Sequence, residues 1–207
     1  PAGVTGLCQT SGNNSDKNTS LFSGCTSLTT VILPAGISDF GIGGSVFKNC
    51  SALTTIKVGE DGENNVLSGV TLLGTNAFES AGIESLSLPN LTSIGASAFT
   101  KSKVKSVSLP QLTTLADLLF ASCTSLTQVV LNDNAEALGD SMFEGCTALK
   151  TITLPSNLTH LGKTTFKGSG ITSIVIPDGV THISDKSGSP AGTGVSTCSR
   201  IASSLKA

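Results

Sequence analysis

The stretch Asn90–Pro110, NLTSIGASAFTKSKVKSVSLP, decides the fold, because recognisable versions of it fill most of the chain. Its apolar residues fit neither a long helix nor a simple alternating strand, and the stretch ends on Val104, Val107 and Leu109 before the proline. Sliding it along the sequence aligns seven of the eight phenylalanines: Phe22, Phe47, Phe78, Phe99, Phe120, Phe143 and Phe166. Their six intervals cover 144 residues, a mean of 24. A fixed period of this length predicts a solenoid.

The period also predicts the domain organisation. Repeats that stack on their neighbours build one continuous core, so we expect a single elongated domain. Residues 1–20 are too polar for a full repeat and are interpreted as an N-terminal cap or lead-in. The solenoid is predicted over 21–183, with an insert loop at 59–69 where one interval lengthens to 31 residues. Residues 184–207 are expected to form a C-terminal cap or tail, with a short helix near Thr197–Lys206.

Each coil follows one order of elements. We predict a strand, a glycine turn, a short helical or 3-10 step around the phenylalanine, a second strand and a proline stop. A glycine follows the apolar residue of the first strand in five coils, and Ala116 replaces it in a sixth. A glycine at this point indicates either a turn with positive φ or a close approach to the next coil. The five glycines are Gly43, Gly74, Gly95, Gly139 and Gly162.

The consensus L-x-x-I-G-x-x-A-F-x-x-C-x-x-L-x-x-I-x-L-P resembles the BspA-like leucine-rich repeats, a divergent bacterial and protozoal branch of that class. The residues that carry the resemblance best are Leu91, Ile94, Gly95, Ala98, Phe99, Phe143, Cys146, Leu149, Ile152, Leu154 and Pro155. The resemblance implies a β-rich, right-handed stack of about seven coils. It also implies an exported cell-surface protein, often one module of a longer chain, and some members are adhesins for host matrix proteins such as fibronectin and fibrinogen. The family has no universal binding residues to transfer.

Composition excludes several partners. A net charge of −2 with 13% charged residues gives no basic field for nucleic acid or an anionic membrane. No apolar run approaches the roughly 20 residues that span a bilayer, so membrane insertion is not expected. Surface polarity rests on Ser, Thr, Asn and Gly, and the chain begins with Pro1 instead of Met. We therefore expect an extracellular or cell-surface monomer from which an export signal has been removed.

The cysteines invite a disulfide or metal interpretation. Cys25, Cys50, Cys123 and Cys146 all lie three residues after a repeat phenylalanine, where other coils carry Ala or Ser. This position therefore selects a small residue, and buried free thiols fit it. The alternative is that Cys25 bridges Cys50 and Cys123 bridges Cys146, since stacked coils bring such pairs within disulfide range. Cys8 and Cys198 lie in opposite caps, too far apart to bridge each other.

Metal ligands are sparse. His160 and His182 occupy equivalent positions and should stack as an exposed pair, but no third ligand recurs beside them, so no metal site and no cofactor are predicted. The insert carries acidic residues without the order of an EF-hand loop, and we interpret it as solvated. Asn-x-Ser/Thr sequons occur by chance in so polar a chain, at Asn13, Asn18, Asn49, Asn90 and Asn157.

No nucleophile elbow and no phosphate-binding glycine motif is present in the sequence, so no enzymatic activity and no catalytic residue are predicted. In the leucine-spaced strands the residues between the inward positions should face outward. They form the candidate ligand-facing ladder: Thr30, Ile32, Thr55, Lys57, Ser85, Ser87, Ser106, Ser108, Gln128, Val130, Thr151, Thr153, Ser173 and Val175. Two functions follow as hypotheses, an adhesin-like module that binds host or matrix proteins along this ladder and a structural spacer in a larger surface protein.

Overall fold

A computed structural model describes residues 20–38 and 44–183. The predicted caps, with Cys8, Cys198 and the helix expected near Thr197–Lys206, lie outside the described residues, apart from Ser20. Between these bounds the predicted solenoid of about seven coils is confirmed.

The coils are joined by short parallel strands that form two series of ladders. The strands are β1 (Thr30–Leu33), β2 (Thr55–Val58), β3 (Leu72–Leu73), β4 (Ser85–Ser87), β5 (Ser93–Ile94), β6 (Ser106–Leu109), β7 (Gln128–Leu131), β8 (Ala137–Leu138), β9 (His160–Leu161) and β10 (His182–Ile183). The leucine-spaced strands pair as β1–β2 and as β4–β6–β7. The two-residue strands before the glycine position pair as β3–β5 and as β8–β9–β10. The prolines Pro34 and Pro110 directly follow β1 and β6, as predicted.

The phenylalanines form the spine of the core. All seven rings stack in sequence order with centroids 5.4–5.6 Å apart and interplanar angles of 2–21°. The five inner rings are fully buried, while Phe22 and Phe166 at the two ends are half-buried. Offset-stacked aromatic pairs contribute about 0.5–1.5 kcal/mol each beyond their buried area. The repeat phenylalanine is therefore a packing residue, and its spacing sets the rise of the solenoid.

The step around each phenylalanine is not helical, so this part of the prediction is wrong. The described residues contain no helix there; the chain instead makes consecutive turns, with left-handed residues two positions before and two after the ring. Around Phe99 these are Ser97 and Lys101, both at φ 58°. The turns aim the N–H groups of Ser97, Phe99 and Lys101 at carbonyls of the next coil, 2.8–3.0 Å away. A helix would have used those groups internally, so the turns gain inter-coil hydrogen bonds instead.

The repeated glycines serve a close approach between coils. A Cβ on Gly139 would lie 2.5 Å from the carbonyl carbon of Ala116, and one on Gly162 would lie 2.6 Å from the amide nitrogen of Asp140. Neither glycine has a positive φ, which decides between the two alternatives that the sequence left open. At Ala116, where the glycine is missing, the second series of ladders is interrupted between β5 and β8.

The expectation of two strands in every coil fails in the last two coils. No described backbone hydrogen bond joins Thr151–Leu154 to β7, and neither that segment nor Ser173–Ile176 forms a strand. The inward side chains nevertheless remain packed on the core, with Leu154 7% exposed and Ile174 half-buried. The spacing of the apolar residues therefore predicts which side chains are buried. In the last two coils these side chains remain packed on the core although their backbone does not pair.

Candidate functional site

The outward face of β4–β6–β7 gathers six of the predicted ladder residues on one three-stranded sheet. The pairing register aligns Ser85 with Ser106 and Gln128 in one row, and Ser87 with Ser108 and Val130 in a second row. Leu86, Val107 and Val129 alternate with them and are buried. The alternation of outward and inward residues thus places the six side chains as the sequence predicted.

The insert loop closes one side of this sheet. Asn65 donates its backbone N–H to Ile56 O at 2.6 Å, while its side chain accepts from Ile56 N–H at 2.8 Å and donates to Thr54 O at 3.1 Å. On its other side, Asn65 O accepts from Ser87 N–H at 2.8 Å, and Val66 pairs with Ser87. The insert therefore occupies the place between β2 and β4, which would otherwise be neighbours. Asn65, with a left-handed backbone at φ 60°, thus makes hydrogen bonds to the backbone groups at the exposed edge of β2.

Loop and sheet together enclose a depression of about 340 Å³. Its floor and walls are lined by Asn64, Asn65, Val66, Ser85, Leu86, Ser87, Ser106, Val107, Ser108, Gln128 and Val130. None of these side chains is charged, and the polar ones supply hydroxyl and amide groups that both donate and accept hydrogen bonds. The arrangement can hold a neutral, hydrogen-bonding surface of another molecule. The sequence predicted the insert but not the wall that it forms at the side of the sheet. The role of Asn65 depends on residues that are its neighbours only in the folded structure.

The remaining ladder residues are not part of this surface. Thr30, Ile32, Thr55 and Lys57 lie on the separate β1–β2 ladder, beyond the insert. Thr151, Thr153, Ser173 and Val175 are exposed but lie outside any strand, so the prediction that they continue the ladder is wrong. Val175 is 81% exposed. The predicted face is thereby divided into a short first ladder, the site on β4–β6–β7 and an unpaired continuation.

One ion pair borders the site. Lys105 Nζ lies 2.6 Å from Glu84 Oε2, and these residues precede the paired strands β6 and β4. Both side chains are more than half exposed, so the pair adds little to stability. It does neutralise one of the three lysines in the basic cluster formed by Lys101, Lys103 and Lys105.

The cysteine position is a packing position. Cys50, Cys123 and Cys146 are buried free thiols, and Cys25 is an exposed free thiol. Each buried sulfur donates to a phenylalanine carbonyl of the preceding coil, as in Cys123 Sγ to Phe99 O at 2.9 Å. Burial raises the pKa of Cys123 to about 11 and that of Cys146 to about 12. Because the thiolate is the nucleophile, these groups are inert at neutral pH.

We expect the described thiols to differ sharply in reactivity. In a Cys8→Ser/Cys198→Ser background, Ellman's reagent at pH 8 should modify Cys25 at once and the other three only after denaturation, because burial raises the pKa of all three thiols. At the Cys123 pKa of about 11, only about one thiol in a thousand is ionised at pH 8. Denatured, unreduced protein should release four thiols. A count of two or none would contradict free thiols and would support the bridged alternative.

The two histidines form the stacked pair that the sequence predicted. His160 and His182 are in register on β9 and β10, with ring centroids 4.5 Å apart and an interplanar angle of 5°. Thr159 Oγ1 lies 2.7 Å from Nδ1 of His160, and Thr181 Oγ1 lies 2.8 Å from Nδ1 of His182. The part of the chain that the structure describes holds no cluster of three or more potential metal ligands.

The sequons in the described part of the chain are accessible. Asn49, Asn90 and Asn157 are all exposed. Asn90 Nδ2 donates to Ser68 O at 2.7 Å, and Asn157 Nδ2 donates to Asn134 Oδ1 at 3.2 Å. The coils are packed, but the turns that carry these side chains face solvent.

Comparison with known proteins agrees with the fold. The sequence profile of the BspA type leucine-rich repeat region matches residues 9–66 and 71–188 in six copies. A leucine-rich repeat protein from Bacteroides ovatus is 29% identical, with a TM-score of 0.70 over 79% of this chain and 41% of that protein. No protein with curated function matches the sequence.

Two more distant structures share the fold. The T. pallidum leucine-rich repeat protein is 19% identical, with a TM-score of 0.51 over 87% of this chain and 67% of that one. A leucine-rich cell surface protein from Faecalibacterium prausnitzii is 22% identical, with a TM-score of 0.50 over 76% of this chain and 57% of that one. The chain spans less than half of the B. ovatus protein and about two thirds of the T. pallidum protein.

Proposed function

Because the chain belongs to the BspA-type leucine-rich repeat family, we propose that it is a non-catalytic binding module of an exported or cell-surface protein. Its ligand is a protein that docks on the depression between the insert loop and β4–β6–β7. The observation that carries this proposal is the wall formed by Asn64, Asn65 and Val66, because insertions in solenoids commonly map to the binding face. A plain stack of repeats has no need of such a wall.

The chemistry of the depression favours a neutral protein surface. Serine hydroxyls and the Gln128 amide can pair with backbone groups of a ligand, and Val66 and Val130 offer apolar contact. Sugar ligands are disfavoured, because they are commonly stacked on aromatic faces and the chain has no Trp and no Tyr. Host matrix proteins such as fibronectin and fibrinogen are the proposed ligand class, and binding of one module is expected to be weak, since typical hot-spot residues are missing.

The surface location rests on two supports. The family profile covers most of the chain, and the F. prausnitzii structural neighbour is described as a leucine-rich cell surface protein. Among the described residues no helix is long and apolar enough to cross a membrane. The non-catalytic role is supported by inert buried thiols and by the shallow, uncharged site. We propose a monomer, since solenoid coils complete their core along the stack.

A spacer role is the second candidate. It is favoured by the polarity of the outward rows, which carry small hydroxyls where most binding interfaces carry large aromatic or arginine side chains. The chain also spans 41% of the B. ovatus protein, so other parts of such a protein could carry the binding. In this case the domain sets distance and binds nothing itself.

Surface plasmon resonance against immobilised matrix proteins distinguishes the two candidates. The wild-type chain should bind at least one of them, and a variant with Ser85, Ser87, Ser106 and Ser108 changed to Lys or Glu should lose roughly tenfold or more in affinity. A charge buried without a partner costs several kcal/mol at an interface. Far-ultraviolet circular dichroism checks that the variants remain folded. Absence of binding by the wild type to every matrix protein would favour the spacer and overturn the binding proposal.

A further inference from the structure

The turns around the stacked phenylalanines join each coil to the next through a repeated set of three backbone hydrogen bonds. The N–H groups two residues before the ring, at the ring and two residues after it donate to carbonyls of the following coil. The set is complete in the five coils from Phe47 to Phe143, with distances of 2.6–3.1 Å. The donors therefore point toward the C-terminal end of the stack, and the acceptors point toward its N-terminal end.

The C-terminal end of the stack has these donors without their acceptors. Thr164, Phe166 and Gly168 hold the three positions, and within the described part of the chain their N–H groups donate to no acceptor. Among the described rings, Phe166 stacks on Phe143 alone, and it is half-buried. Ser169 Oγ is buried and has no hydrogen-bond partner. The turn at this end thus lacks the coil that would follow it.

The N-terminal end presents the matching half of the same junction. Leu21 O and Ser23 O flank Phe22 at two of the acceptor positions, and no N–H of the described residues donates to them. Phe22 is half-buried, and the Leu21 side chain is 57% exposed. Cys25 holds the position where the other described cysteines are buried, but it is exposed. This end lacks the coil that would precede it.

The two ends also carry complementary parts of one coil. β10 is a strand of the kind that precedes a turn, but residues 184–207 contain no Phe, Trp or Tyr that could continue the spine. The Phe22 coil has the turn and the strand that follows it, β1, but its sequence has Lys17 where the other coils have the inward Ile or Leu of the preceding strand. Together the two ends supply each part of a coil once.

We propose that the C-terminal end of one copy of this chain binds the N-terminal end of a second copy, so that the two partial coils complete each other. Phe166 N–H then donates to Leu21 O of the second copy. Gly168 N–H donates to Ser23 O of the second copy, and the ring of its Phe22 continues the aromatic stack. Such a contact is heterologous and can repeat along a row of copies.

The cysteine position fits the same contact. Cys25 Sγ of the second copy donates to Phe166 O, as each buried cysteine donates to a phenylalanine carbonyl of the preceding coil. It also lies beside Ser169 Oγ, in the way that Ser102 Oγ lies 3.5 Å from Cys123 Sγ. The contact therefore covers the exposed thiol and gives the buried hydroxyl a neighbour.

The contact is weak. It consists of one ring stack and a few hydrogen bonds, whereas a typical protein–protein interface has about ten hydrogen bonds. We expect a dissociation constant on the order of 1 mM. The chain is therefore a monomer in dilute solution, and copies associate end to end where their local concentration is high.

Sedimentation velocity in reducing buffer tests the proposal with one blocked variant for each end. The wild type should be a monomer at about 10 μM and should sediment faster at about 1 mM. Cys25→Arg blocks the N-terminal end, and Ser169→Arg blocks the C-terminal end. Each variant alone should remain a monomer at about 1 mM, while their mixture should form dimers and nothing larger, because one open end of each kind remains.

The control is Thr153→Arg, on the exposed outward face, which should associate like the wild type. Circular dichroism checks that all variants are folded. A wild type that stays monomeric at about 1 mM, or association that Cys25→Arg leaves intact, would overturn the proposal. A mixture of the two blocked variants that stays monomeric would do the same.

Alkylation of Cys25 gives a second readout that needs no variant at the C-terminal end. In the Cys8→Ser/Cys198→Ser background, iodoacetamide should label Cys25 about twofold more slowly at about 1 mM protein than at about 10 μM, because the contact covers this thiol. Peptide mass spectrometry measures the labelled fraction. Equal rates at both protein concentrations would contradict the end-to-end contact.

Discussion

Replacing the central phenylalanine of the spine, Phe99→Ala, should lower the free energy of unfolding by about 3–5 kcal/mol. The Phe99 ring is fully buried and stacks on Phe78 at 5.4 Å and on Phe120 at 5.5 Å. Its removal leaves a cavity and also breaks two stacking contacts, while the backbone ladder around it prevents the coils from collapsing into the gap. Urea denaturation monitored by circular dichroism measures the loss.

Phe22→Ala is the matched control, because Phe22 is half-buried and, among the described residues, stacks on Phe47 alone. We expect it to cost less than half as much as Phe99→Ala. If the two substitutions were equally mild, the continuous aromatic spine would not be the main source of stability.

The substitution Gly139→Ala should cost about 3 kcal/mol, at the upper end of the usual range for overpacking. The added methyl would lie 2.5 Å from the carbonyl carbon and 2.8 Å from the amide nitrogen of the neighbouring coil, at Ala116 and Asp117. Backbone atoms cannot rotate away as a side chain can, so the coils must separate. We expect a lower denaturation midpoint in urea and shifted backbone amide NMR signals at Asp117, which the added methyl group would meet.

Gly24→Ala separates crowding from backbone strain. Gly24 has a φ of 79°, and a methyl group there would meet no atom within 4 Å. Its substitution should cost only the strain of a left-handed alanine, about 1–2 kcal/mol. A larger loss at Gly24 than at Gly139 would contradict the close-approach explanation of the repeated glycines.

The repeat pattern made much of this fold predictable. Seven phenylalanines at the same position of the repeat predicted the stack of coils. A residue recurs so regularly only where it contacts the equivalent residue of the next coil. The register of His160 and His182 followed from the same periodicity. These features depend on which residues are buried, and apolar spacing reports burial directly.

Features that depend on the backbone were not predictable in the same way. The turns around the stacked phenylalanines leave no composition signal, since serine, asparagine, lysine and leucine all occupy their left-handed positions. Pairing of the leucine-spaced strands ends after β7, although the apolar spacing of that series continues. The wall of the candidate site depends on Asn65. Its side-chain Oδ1 accepts a hydrogen bond from the backbone N–H of Ile56, nine residues earlier in the chain, as a neighbouring strand would. One position did carry a signal, since Ala116 breaks the glycine pattern where the second ladder is interrupted.

The central claim, that the sheet β4–β6–β7 with the insert forms the binding face, is tested most directly by two matched substitutions on successive strands. Ser85 lies on β4 inside the proposed site, and Ser93 lies on β5 in the other series of ladders; both are exposed strand serines. Surface plasmon resonance should compare Ser85→Lys and Ser93→Lys on the matrix protein that binds the wild type best. We expect Ser85→Lys to lose roughly tenfold or more in affinity and Ser93→Lys to bind like the wild type. Equal affinities, or a loss confined to Ser93→Lys, would contradict the assignment of this face.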